Sequence, residues 1–220
     1  MAPLKIVVTG KSSLHHPPER ATLRFSVKSN GADQETVAKE VTSTSANLQA
    51  WFKSAYFSTT DAAEAPQTKF SSTSIKTWKR STDHHDKPLP DPHHASISFK
   101  AVFQDFSKMN HAIGELLGYP LVEIDSLDWG LTDETGGRLA SDARKLALRD
   151  AIQQAQDYSD VLTRDVSVVE IVDQRSHPYP AVRHMKAASY GYSGSETAPL
   201  DLTPQDIEVE GNVHVTFEDV

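Results

Sequence analysis

Several stretches of the chain alternate apolar with polar residues. Ala21, Leu23, Phe25 and Val27 are separated by Thr22, Arg24, Ser26 and Lys28, which predicts a strand with one dry face and one wet face. The period of two recurs at Ala95, Ile97, Phe99, Ala101 and Phe103. It returns at Ile207, Val209, Val213, Val215 and Phe217, where Glu208, Glu210, Asn212, His214 and Thr216 take the wet positions. Leu4 to Thr9 is a short β-branched run ending at Gly10, also a strand. Phe70 to Lys79 is rich in Ser and Thr and carries Ile75 and Trp78, which predicts an exposed strand. Leu121 to Leu131 is extended, and Val166 to Val172 predicts one more strand.

Helical spacing marks three other segments. Val37, Val41, Leu48, Trp51, Phe52 and Ala55 recur at three- and four-residue steps after a capping residue near Asp33. Phe106, Met109, Ile113, Leu116 and Leu117 define a short helix, stopped by Gly118 and Pro120. The longest helix runs from about Asp133 to Leu162. Its inward stripe reads Leu139, Ala143, Ala147, Ala151, Ala155, Tyr158 and Leu162, and small side chains of this kind let a helix axis lie close to a sheet. Lys11 to Glu19, Ser81 to His94 (three prolines) and Asp173 to Pro204 read as loops, the last as a long surface excursion.

The predicted order is β-β-α-β-β-α-β-α-β-β. Hairpin-like strand pairs interleaved with helices argue for an α+β fold, an antiparallel sheet with about three helices packed on it. No linker divides the pattern, so residues 1–220 are expected to form one domain, with long loops at about 81–94 and 173–206.

Charge narrows the function. The chain of 220 residues has a formal net charge of −8 and its Lys and Arg are scattered. Nucleic acid and anionic membranes both need concentrated cations to displace counterions, so neither is an expected partner. Cysteine is absent, which excludes disulfides, zinc–thiolate sites and thiol catalysis. No apolar stretch approaches the roughly 20 residues of a membrane span. Met1-Ala2-Pro3 leads into a run too short for a signal peptide, so the expected location is cytoplasmic.

Four motifs invite a chemical reading. His84, His85, His93 and His94 flank Asp83, Asp86 and Asp91, and His15-His16 stands elsewhere; imidazoles and carboxylates ligate zinc, nickel or copper. The spacing fits no known site, and neighbouring His side chains in extended chain point apart, so a solvated loop is expected. Thr135-Gly136-Gly137-Arg138 at a helix start could cradle a phosphate, but Asp133 and Glu134 would repel it. Gly191-Tyr192-Ser193-Gly194-Ser195 is not a nucleophile elbow: the serine falls in the wrong place, with no strand before it and no helix after it. Trp51, Trp78 and Trp129 are expected as core or edge anchors. No catalytic or cofactor-binding residue is assigned, and no cofactor is expected.

Three stretches together resemble the SIMPL (DUF541) family. They are Val8-Thr9-Gly10 with Pro18-Glu19-Arg20-Ala21-Thr22-Leu23 and Val27; the alanine-rich Ala143-Arg144, Ala147, Asp150-Ala151, Ala155 and Leu162; and the closing Ile207-Glu208-Val209 and Val213-His214-Val215-Thr216-Phe217. That family includes bacterial periplasmic proteins and an animal protein that binds an interleukin-receptor-associated kinase. Glu19 stands where its members usually carry Asp, and their usual signal peptide is not seen. The resemblance implies an α+β domain, a tendency to self-associate and roles in stress defence or signalling; it brings no agreed catalytic residues.

The expected function is therefore a non-enzymatic interaction or self-assembly module, a homo-oligomer with a possible protein partner. Ile75 and Trp78 on the exposed strand are the expected interaction residues. The alternative is a small-molecule or metal-binding protein that uses the His-rich loops.

Overall fold

The computed structural model describes residues 4–56, 68–82, 90–173 and 202–220. The alternating runs form strands and the three- and four-residue stripes form helices. In chain order these are β1 (Lys5–His16), β2 (Arg20–Gly31), α1 (Gln34–Tyr56), β3 (Thr68–Ser72), β4 (Lys76–Lys79), β5 (His93–Phe103), α2 (Phe106–Leu117), β6 (Val122–Gly130), α3 (Asp133–Leu162), β7 (Val166–Asp173) and β8 (Ile207–Asp219). The pairings β1–β8, β2–β5, β3–β5, β4–β5 and β7–β8 are all antiparallel, and the α+β class stands.

The strand order gains one member. The predicted run Phe70–Lys79 is broken at residues 73–75 into β3 and β4, which lie end to end along β5. At the break the Thr73 side chain stands in for backbone: Ser98 N donates to Thr73 Oγ1 at 3.2 Å, while Thr73 N donates to Ser98 O at 2.9 Å. Two predicted loops also shrink. Lys11 to His16 continues β1, paired with β8 from Lys5↔Glu218 to His16↔Ile207. His93 and His94 open β5 rather than close a loop. Both stretches are polar, and their strand character comes from a neighbour's backbone, which hydropathy does not register. Most of the predicted excursion between Asp173 and Pro204 lies outside the described residues.

The chain falls into two compact units, with crossings after Glu19 and after Asp128. In the first, made of residues 4–19, 129–173 and 204–220, a three-stranded sheet of order β1-β8-β7 carries α3. Ala143, Ala147, Ala151 and Ala155 are buried against Ile6, Val8, Val213, Val215 and Phe217. Two glycines set how closely the helix approaches. A Cβ at Gly10 would sit 1.9 Å from Ala147 O, and one at Gly211 would sit 2.5 Å from Ala143 O. The alanine stripe ends earlier than expected: Tyr158 and Leu162 are exposed.

In the second unit, residues 20–56, 68–82 and 90–128 among them, the sheet order is β3-β5-β2-β6, with β4 also on β5. α1 buries Val37, Val41, Leu48 and Phe52, whereas Ala55 faces solvent. α2 buries Met109, Ala112, Ile113 and Leu116, and Asp105 caps it by accepting from Ser107 N and Lys108 N. The centre is a stack of near-parallel rings: Phe52 on Phe70 at 4.5 Å, Phe25 on Phe99 at 5.1 Å and Phe25 on Phe52 at 5.7 Å. Offset aromatic packing of this kind adds to plain area burial.

Candidate functional site: the open sheet edges

Among the described residues β3 and β4 form one outer edge of the second unit's sheet. Register fixes which side chains share its non-core face, because directly opposed residues of antiparallel strands point the same way. Trp78 opposes His94, Lys76 opposes Ser96, and Ser71 opposes Lys100. Trp78 is 48% exposed and Ile75 41%, so both expected interaction residues stand in the open. The Trp78 and His94 rings stack at 5.3 Å with a 10° interplanar angle.

This edge is basic in an acidic chain. Residues 68–82 contain Lys69, Lys76, Lys79 and Arg80 and no acidic residue. Among the described residues no carboxylate pairs with Lys69, Lys76, Lys79 or Lys100. The opposite side of the same sheet is different. There Lys28 reaches Glu123 at 2.6 Å, Arg24 is paired with buried Asp128, and Ser26 donates to Asp125 at 3.0 Å. The Glu123 hydrogen bond, helped by Asp125 and opposed by burial, holds the Lys28 ammonium above its ordinary pKa.

The second edge is β7, at the border of the first unit's sheet, with no strand on its outer side among the described residues. Val168, Val169, Ile171 and Val172 are 43–57% exposed along it. The register shifts between Val168 and Glu170, a bulge that turns successive apolar side chains to both faces. An unpaired apolar strand edge is a template for another chain. The run Val166–Val172 was legible as a strand, but not as an open one.

The remaining motifs resolve as architecture. Thr132 caps α3, and the anion at that helix start is the protein's own: Glu19 accepts from Thr132 N at 2.7 Å and from Thr135 Oγ1 at 2.8 Å. Burial pushes the Glu19 carboxyl up. The hydrogen bonds from Thr132 and Thr135, with nearby His16, outweigh it and leave the pKa below the ordinary value. His93 and His94 are successive strand residues, so their side chains leave opposite faces and cannot close on one ion. His15 opposes Glu208 and His16 Nδ1 donates to Pro17 O at 2.7 Å. His84, His85 and Gly191–Ser195 lie outside the described residues. Among the described residues no three His, Asp or Glu side chains are placed to hold a metal ion.

Residues 6–217 match the family described as SIMPL, protein of unknown function (DUF541). The chain belongs to the SIMPL family. No curated protein matches it. The motif residues of this SIMPL chain now have physical roles. Gly10 admits α3, Glu19 holds the capping Thr132 and Thr135 at its start, and Asp150 accepts the Lys11 N–H at 2.9 Å on β1, the sheet's other edge. In SIMPL terms, the opening and alanine-rich motifs describe one helix–sheet joint.

Proposed function

We propose that this SIMPL protein is a non-enzymatic interaction and self-assembly module, working through its open strand edges. The observation that carries the reading is β7, a strand with four large aliphatic side chains in the open and no partner on its outer side among the described residues. Antiparallel pairing of two copies through this edge would bury the same row against itself about a twofold axis. Glu170 would meet its own copy only if the axis passed through it. The edge bearing Ile75 and Trp78 is a second contact surface, of different charge. That the SIMPL motif residues are spent on packing and capping also supports a non-catalytic reading. The family likeness adds stress defence or signalling as the setting.

Light scattering after size exclusion tests this. Wild-type protein at tens of micromolar should elute above monomer mass, and Val169→Lys with Ile171→Lys should return it to monomer mass with unchanged circular dichroism. A monomeric wild type would sink the self-assembly reading.

A further inference from the structure

The β3–β4 edge differs from β7 in a way that names another kind of occupant. All of its charged side chains are cationic, with Lys69 and Lys76 on the edge itself and Lys100 one strand in, among exposed Ser, Thr, Ile75 and Trp78. Two copies of this edge laid antiparallel would bring lysine towards lysine, and like charges opposed across strands repel. A partner strand bearing carboxylates meets no such penalty. The cations are available for it, since no described carboxylate neutralises Lys69, Lys76, Lys79 or Lys100, whereas Lys28 and Arg24 on the far side of the same sheet are already paired. The chain as a whole is acidic, so this basic edge is a local exception that would steer an acidic partner to one place.

We infer that the β4 edge takes up an acidic extended segment of another protein as an added strand. Backbone groups of β4 supply the hydrogen bonds, and side chains two residues apart supply the choice. Lys76 and Trp78 are such a pair on one face, so the favoured segment places an Asp or Glu two residues from an apolar or aromatic residue. The first meets the ammonium and the second meets the indole stacked on His94. The break at residues 73–75 confines strand addition to the β4 stretch and leaves Lys69 and Lys100 as longer-range attraction. A nucleic acid would use the same cations, but it has no strand backbone to pair with the edge.

The inference rests on reading the chain as an interaction module, and it is independent of assembly through β7. The probe is a fluorescent peptide repeating Glu-Thr-Val-Thr (the Glu/Val peptide), which sets Glu and Val two residues apart on one face, followed by anisotropy. Three comparisons accompany it: a Lys/Val peptide, a backbone N-methylated Glu/Val peptide, and a single-stranded oligonucleotide. Binding of the Glu/Val peptide alone is expected. It should weaken about tenfold in Lys76→Glu with Lys100→Glu, roughly what reversing two exposed charges yields. Trp78→Ala should weaken it as well. Equal binding of the Lys/Val or N-methylated peptide would overturn strand addition, as would tighter binding of the oligonucleotide or indifference to charge reversal. Retained circular dichroism shows that the variants fold, and Lys76→Glu alone serves if the pair does not. Scattering mass on the same samples separates the two readings. Peptide binding by a monomer sinks assembly alone, and an oligomer that ignores the peptide sinks this inference alone.

Discussion

Glu19 shows how much one side chain can hold. Its carboxylate satisfies the Thr132 N–H and the Thr135 hydroxyl at the start of the 30-residue helix α3. A negative charge there also complements the helix dipole. Glu19→Ala should cost about 1 kcal/mol, the usual scale for losing a helix cap. The sign of the pH dependence follows from the lowered pKa. The contribution is fully present above the ordinary carboxylate value of 4.5 and is lost as pH falls through the lower folded value. Urea midpoints of wild type and variant should therefore converge towards acid; a constant gap down to pH 3 would contradict the assignment. Thr163 offers the opposite case. It ends α3 at φ 52°, left-handed backbone that a β-branched residue adopts at a cost. Its side chain is exposed, so Thr163→Gly should raise stability by up to about 1 kcal/mol in chemical denaturation.

At the scale of elements, the approach of α3 to β1 and β8 is set by small residues on both partners. Gly10→Ala would drive a methyl into the Ala147 carbonyl, and should cost about 3 kcal/mol, the upper range for overpacking. Ala151→Leu on the facing stripe should be destabilising for the same reason. Gly137 is the control within the same helix, since a Cβ there meets nothing within 4 Å. Gly137→Ala should stabilise by about 0.5–1 kcal/mol, from helix propensity alone. Melting curves of the three variants read the difference. A neutral Gly10→Ala would mean that the helix stands further from the sheet than described. The alanine repeat made this joint legible in sequence. The stripe's end was not, because Tyr158 and Leu162 keep the spacing after the sheet beneath them has run out.

At the scale of the whole molecule, two of the sheet edges among the described residues, β7 and β3–β4, are chemically distinct. The apolar β7 edge predicts concentration-dependent association: sedimentation should show monomer on dilution and larger species at high concentration. Salt should affect that association little, because burial of valine and isoleucine is barely screened. Attraction at the β4 edge should fade with salt, because its lysines are exposed. If self-association instead fell steeply with salt, β7 would not be its seat. The cations looked scattered in sequence, and most are. The cluster arises because β3 and β4 both pair with β5, which sets Lys100 beside residues roughly thirty positions earlier in the chain.

Sequence alone determined the family, the α+β class, all three helices and the long strands, since each rests on a local period or an ordered set of short motifs. It also placed Trp78 on an exposed strand, whereas Ile75, also exposed, falls in the break between β3 and β4. Tertiary structure decided what local pattern cannot express. It made Lys11–His16 and His93–His94 strand, because β8 and β2 lend their backbones. It split the edge at Thr73, because a hydroxyl replaced a backbone acceptor. It also decided that the aliphatic run of β7 lies open, because burial depends on which element lies across a strand, and α3 lies over β1 and β8 instead.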